Sequence, residues 1–157
     1  MFRKIISGGQ TGVDRGALDV ALELGIPCGG WCPKDRLSED GPIAAKYPLD
    51  ETPDIDYAQR TEWNVRDADG TLVLTRGQPT GGTALTIELA THLDKPCLLI
   101  DVTDRPSPNT VWQWADAHDI RVVNVAGPRE SNAPGIYAQA VAFLKQVLLR
   151  STPEGRR

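Results

Sequence analysis

The sequence predicts an α/β layered fold on a mostly parallel sheet of about five strands, and three observations carry that expectation. Short apolar runs recur along the chain, segments of helical period separate them, and the runs are continuous rather than alternating, as in strands covered on both faces. In chain order the runs are KIIS at 4–7, a weaker PCGGW at 27–31, TLVLT at 71–75, CLLID at 97–101 and RVVNV at 121–125. Helices are expected at 12–24, 56–68, 83–93 and 108–119. A last one at 134–150 carries Ile136, Ala140, Leu144 and Leu148 at fourfold spacing. Ser107 followed by Pro108 puts a cap before a proline at the first helical position, and Asn132-Ala133-Pro134 has a similar form before the last helix.

At 157 residues and 40% hydrophobic content, the chain fits one domain with one core, expected over 1–150 and followed by a frayed tail at 151–157. The segment from Cys32 to Asp56 departs from the pattern. It holds Pro33, Pro42, Pro48 and Pro53 among acidic residues and has no steady period. A long irregular stretch in a compact domain reads as a lid or rim over a site, or else as a rigid surface loop.

The formal charge of -4 argues against broad attraction to nucleic acid or to anionic membranes and leaves small molecules as the expected partners. No apolar run approaches ~20 residues, and Met1-Phe2-Arg3-Lys4 leads into a strand without a signal-peptide pattern, so a soluble cytoplasmic protein is expected. Three cysteines make no disulfide framework, Cys28 and Cys32 match neither a redox pair nor a zinc set, and Cys97 reads as core, so no metal site is expected.

Ligands of open parallel sheets sit beyond the carboxyl ends of the strands. Three of the loops there concentrate glycine: GGQTGVDRG after KIIS, RGQPTGGT after TLVLT, and AGPRESNAPG after RVVNV. Glycine lets backbone N–H groups converge, and a following helix adds its unpaired N–H groups and dipole, which is chemistry for an anion such as phosphate. Thr11, Thr80 and Thr83 offer hydroxyls, while Arg15, Arg76 and Arg129 offer guanidinium forks. GGQTG matches neither GxGxxG nor a P-loop, so no dinucleotide or ATPase assignment follows.

Local readings stand beside these. Thr11-x-x-Asp14 is also a capping-box pattern, Gly12 and Gly16 also suit close helix packing, and Arg15 also suits a solvated turn. Glu88 is either a cleft carboxylate or part of a solvated helix face. Asp101, ending CLLID, is open in the same way. His92 and His118 complement helix C-termini. Trp31 is a candidate for stacking on a flat ring, and Trp112 and Trp114 for core or subunit contact.

The words SGGQTGVDRGALD, GGWCPK, EDGPI, YPLDET, RTEWNVRDADGTLVL, PTGGT and NVAGPRES, in this order, resemble the molybdenum cofactor carrier protein family. That family is a circularly permuted YpsA-like branch of the SLOG superfamily, which is related to the Lonely Guy-type phosphoribohydrolases. The likeness runs from about residue 3 to residue 148. It implies a Rossmann-like three-layer sandwich assembled as a homodimer or homotetramer, with a pocket for the pterin phosphate of molybdenum cofactor (molybdopterin). The residues it implies for that pocket are Gly8, Gly9, Gln10, Thr11, Gly12 and Arg15; Thr80, Gly81, Gly82 and Thr83; and Asn124, Gly127, Pro128 and Arg129.

The phosphoribohydrolase relatives carry PGGxGTxxE. Here PTGGT continues through Ala84-Leu85-Thr86-Ile87 to Glu88, one residue late, and a one-residue shift turns a helical side chain by about 100°. The expected function is therefore a non-catalytic carrier of a phosphorylated ligand, molybdenum cofactor or a nucleotide. A nucleoside-monophosphate phosphoribohydrolase using Glu88 and a nucleotide-sensing module are the alternatives.

Overall fold

The computed structural model describes residues 1–152. Its elements follow the predicted order: β1 (Lys4–Ile6), α1 (Val13–Leu24), β2 (Cys28–Gly29), β3 (Trp31–Cys32), β4 (Asp50–Glu51), α2 (Tyr57–Asp67), β5 (Gly70–Thr75), α3 (Gly81–His92), β6 (Cys97–Asp101), α4 (Pro108–His118), β7 (Val122–Ala126) and α5 (Ile136–Leu148). The main sheet has the order β2-β1-β7-β5-β6, with every pairing parallel. One layer of helices, α1, α4 and α5, covers one face, and α2 with α3 covers the other. This is the α/β layered fold that the apolar runs predict and the Rossmann-like sandwich that the family resemblance implies.

The two faces of the sheet differ because strand side chains alternate. Leu72 and Leu74 of β5 and Val123 and Val125 of β7 join the principal core under α1 and α5. Thr71, Thr75 and Asn124 fall on the opposite face and are buried there, with Asn124 Nδ2 donating to Thr71 Oγ1 at 3.3 Å. Polar residues on a buried face keep that side from closing as a dry core.

The run expected as one strand at 27–31 is two. Cys28 and Gly29 pair with β1, and Trp31 and Cys32 turn away to pair with β4 in a separate two-stranded sheet. Gly30 makes the break: its φ is +128°, and a Cβ there would lie 2.4 Å from the Ser7 carbonyl oxygen. No side chain fits in that conformation and that space.

Cap chemistry matches expectation at α4 and differs at two other helices. Ser107 Oγ accepts from the Asn109 N–H with Pro108 in the first turn. The start of α5 is set by Gly135 in the left-handed region and by Glu130, whose carboxylate accepts from the Gly135 and Tyr137 N–H groups. Asn132-Ala133-Pro134 precedes this cap rather than forming it. At α1 the capping box does not form: Gly12 is the N-cap, and the Thr11 hydroxyl is engaged elsewhere.

Ser151, expected as the first residue of the tail, packs against the start of the chain. Leu149–Ser151 forms a last 3-10 turn, Ser151 is buried, and its Oγ accepts from the Phe2 N–H at 3.0 Å. Residues 153–157 lie outside the described residues. Among the described residues no helix is long and apolar enough to cross a membrane.

Gly25 and Gly30 both have positive φ, but a Cβ at Gly25 meets nothing within 4 Å. Gly25→Ala is expected to cost about 1–2 kcal/mol from conformation alone. Gly30→Ala adds a backbone clash and should cost clearly more, which urea denaturation of the two variants measures.

Candidate ligand-binding site

The strand order places β1, β7 and β5 side by side, so their three glycine-rich loops meet above the polar face of the sheet. They enclose a cavity of about 440 Å³ together with the first turns of α2 and α3, within the size range of small-molecule sites. Of the residues the family resemblance implies, Gly8, Gln10, Thr80, Gly82, Thr83, Asn124, Gly127, Pro128 and Arg129 line it. Gly9, Thr11, Gly12, Arg15 and Gly81 are not in its lining.

Most of the loop glycines make room for protein. A Cβ on Gly8 would fall 1.6 Å from Arg60 NH1, one on Gly9 2.5 Å from a Leu49 methyl, and one on Gly12 2.3 Å from the Pro128 carbonyl oxygen. The first loop is thus packed tightly against α2, the 32–56 segment and the third loop. Gly81 and Gly82 are different, since a Cβ on either meets nothing within 4 Å. They open α3, whose N-cap Thr80 makes no side-chain cap bond. Uncapped N–H groups at an open helix N-terminus are where an anion is favoured.

The wall formed by the first loop and α2 carries a buried ion pair, Arg60 NH1 to Asp14 Oδ2 at 2.9 Å, with side chains 12% and 6% exposed. Burial pushes the Asp14 carboxyl up, against the pull of Arg60 and of the Gln10 N–H. Arg60 and Arg129 both lie against the Tyr57 ring, 5.5 and 5.4 Å from its centroid. Arg76 spans the far side, donating to the Pro134 carbonyl at 2.7 Å and to Gln139 Oε1 at 3.3 Å.

Arg60, Asn64, Tyr57 and Gln78 line the cavity without having been singled out in the sequence. One signal was present: Arg60 and Asn64, four residues apart, share a helical face, and a basic and an amide side chain on one buried face call for polar partners. Asn64 holds the strand break in place. Its Oδ1 accepts from the Trp31 N–H at 2.7 Å and its Nδ2 donates to the Trp31 carbonyl at 2.9 Å.

Trp31 does not face the cavity. Its Nε1 donates to Asp67 Oδ2 at 2.8 Å, and its ring meets Trp63 edge-on at 4.7 Å between centroids. Trp112 donates to the Val147 carbonyl under the Arg150 guanidinium, and Trp114 packs against the core. Both make contacts within the chain. Asp101 accepts from Gly77 N–H and from Thr103, closing the loop behind β5. Glu88 is exposed on α3 and is not part of the cavity wall.

The 32–56 segment, expected as a lid or rim or else as a rigid surface loop, is a strap fastened beside the cavity, and only its last residue, Asp56, lines the wall. Arg36 gathers it by donating to the carbonyls of Ile43, Ala44, Tyr47 and Leu49. Arg15 fastens it to the first loop, donating to the Gly9 carbonyl and to Asp40, with NH1 2.9 Å from Oδ2. Tyr47 and Tyr137 both donate to Asp19 at 2.6 Å, which joins strap, α1 and α5 and, with burial, lifts the Tyr137 hydroxyl to about 12. Glu39 reaches the third loop: its carboxylate accepts from the hydroxyls of Thr11 and Ser131 and from the Ser131 N–H, and lies 3.8 Å from Arg129 NH1. The guanidinium of Arg15 is therefore engaged with the strap and the first loop, and Arg15 is not among the residues that line the cavity.

Among the described residues no group of three or more His, Cys, Asp or Glu side chains is placed to hold a metal ion. A parallel sheet between two helical layers, with convergent glycine loops and a cavity at their meeting point, defines a Rossmann-like α/β domain with a pocket of small-molecule size. The chain matches the circularly permutated YpsA SLOG family over residues 5–148, and it belongs to that family. It is similar to the crystal structure, at 1.45 Å resolution, of a "Putative molybdenum carrier protein" from Syntrophus aciditrophicus SB, with 48% sequence identity and a TM-score of 0.89 over 94% of this chain and 95% of that one. Among curated proteins none matches it.

The strap's pH response follows from Asp40, held down to about 2 by hydrogen bonds from Arg15 and Ser38. A depressed carboxylate contributes its tether fully above the ordinary value of about 4 and loses it as pH falls towards 2. Hydrogen-exchange protection over 36–49 should be flat from pH 8 to 5 and decline only below about pH 4. Asp40→Asn should lower that protection severalfold at pH 7.

Proposed function

We propose that this protein is a non-catalytic carrier of a phosphorylated small molecule, with the pterin phosphate of molybdenum cofactor as cargo and a nucleotide as the alternative ligand. The observation that supports it best is the open first turn of α3 within the cationic cavity. Gly81 and Gly82 leave free space there, Thr80 leaves the helix uncapped, and Arg76 and Arg129 line the same cavity. The phosphate is bound by N–H groups and guanidinium forks, and the rest of the ligand lies along the wall toward Asp14 and Arg60.

Likeness to the Syntrophus protein supports the carrier reading, and so does the position of Glu88 outside the cavity. A carrier needs shelter and reversible release, both of which a preformed polar cavity provides without an activated nucleophile. Assembly as a homodimer or homotetramer and residence in the cytoplasm belong to the same proposal.

Calorimetry with molybdenum cofactor, or with pyrophosphate as a phosphate probe, tests it. Arg129→Ala is expected to weaken binding about tenfold or more, as the loss of a charge-assisted hydrogen bond of roughly 1.5–3 kcal/mol implies. Gly82→Val, which projects a side chain into the open space, should abolish binding while leaving the melting temperature near that of the parent. Unchanged affinity in both variants would rule out this anion site.

A further inference from the structure

Glu39, in a turn of the strap, is seated among donors that belong to the loops of the cavity. Its Oε1 accepts from the Thr11 hydroxyl and from the Ser131 N–H at 3.2 Å, and its Oε2 accepts from the Ser131 hydroxyl and lies 3.8 Å from Arg129 Nη1. The Thr11 hydroxyl in turn accepts from the Glu130 N–H at 3.1 Å, and the Glu39 N–H donates to Gln10 Oε1 at 2.9 Å. Two hydroxyls, a backbone N–H and a guanidinium converging on one group are the donor set of an oxyanion site. Here the chain's own carboxylate fills it. Burial works against the charge, but hydrogen bonds from Ser131 and Thr11 and the cation of Arg129 hold the Glu39 carboxyl below its ordinary value, so it is an anion at neutral pH.

Of these donors Arg129 alone lines the cavity; Thr11 and Ser131 do not. A charge-assisted N–H···O bond closes at about 2.7–2.9 Å, so at 3.8 Å Arg129 pairs with Glu39 through charge without being pinned to it. Its side chain is 33% exposed and lies against the Tyr57 ring, which also lines the cavity. An anion in the cavity and the Glu39 carboxylate therefore draw on the same cation and repel each other.

We infer that Glu39 is an internal competitor for Arg129: it pairs with the cation when the cavity is empty, and an anionic ligand and the strap's seat on the third loop oppose each other. Coupling of this kind is reciprocal, so the strap weakens the ligand by the factor by which the ligand loosens the strap. That gives a carrier a built-in means of release. The inference rests on the carrier proposal for an anion at Arg129 and is independent of what the rest of the ligand is.

Calorimetry with pyrophosphate on the full chain, on Glu39→Gln, on Arg129→Ala and on the double variant tests it, together with hydrogen exchange at the Glu39 and Ser131 amides. Glu39→Gln keeps an oxygen for Thr11 and the Ser131 N–H and offers an N–H to the Ser131 hydroxyl, so the seat of the strap survives and only the charge beside Arg129 goes. Pyrophosphate is expected to bind Glu39→Gln about threefold to tenfold more tightly than the parent. With Arg129 replaced by Ala, the same change should alter affinity by less than about twofold. Saturating pyrophosphate should speed exchange at both amides in the parent and leave it unchanged in Arg129→Ala.

Binding to Glu39→Gln but not to the parent supports the competition in its strongest form. An affinity that is unchanged or lower in Glu39→Gln, or a gain of the same size with Arg129 replaced, overturns the inference and leaves the carrier reading standing. Pyrophosphate binding to neither the parent nor Glu39→Gln overturns both.

Discussion

The buried ion pair between Asp14 and Arg60 is the interaction on which the site depends. It crosses from the first turn of α1 to the middle of α2, and it passes through the space that Gly8 leaves by having no side chain. Two charges taken out of water this way are favourable only with close geometry and further hydrogen bonds. Asp14 has such support from the Gln10 N–H, and Arg60 from the Tyr57 ring. Removing either partner strands the other charge against a dry wall. The pair therefore fixes how near α2 comes to the first loop, and with that the width of the cavity.

Packing around this pair divides the labour among the glycines. In the first and third loops the absent side chains let backbone and side chains of neighbouring segments approach closely, so these loops form a rigid wall. In the second loop the absent side chains leave open space at a helix N-terminus. One residue type thus serves two opposite ends, and only the neighbours of each position distinguish them. The same division explains Arg15, which follows the first loop yet is drawn outward by Asp40 and the Gly9 carbonyl.

The strap adds a second level of order. Its irregular sequence conceals a fixed structure because Arg36 satisfies four carbonyls that no strand or helix would satisfy. Leu18, Cys32, Ile43, Tyr47 and Leu49 form a small apolar cluster beneath it, separate from the principal core. Glu39 then ties the strap to Thr11, Ser131 and Arg129, so a movement of the strap is felt by a cation of the cavity wall.

The order of strands and helices was legible in the sequence, because a parallel sheet covered on both faces demands continuous apolar runs and its helices demand an amphipathic period. The three glycine loops were legible as a group for the same reason: each follows a strand. What each glycine faces was decided by the tertiary structure alone. Nothing local to Gly8 announces Arg60, 52 positions on, and nothing in PCGGW announces that Gly30 must turn away from the Ser7 carbonyl. The strand order β2-β1-β7-β5-β6 brought distant loops to one edge and placed two unpaired donors beside one carboxylate. Local sequence encodes period and chain direction, whereas the polarity of a cavity is a property of residues that meet only once the sheet has formed.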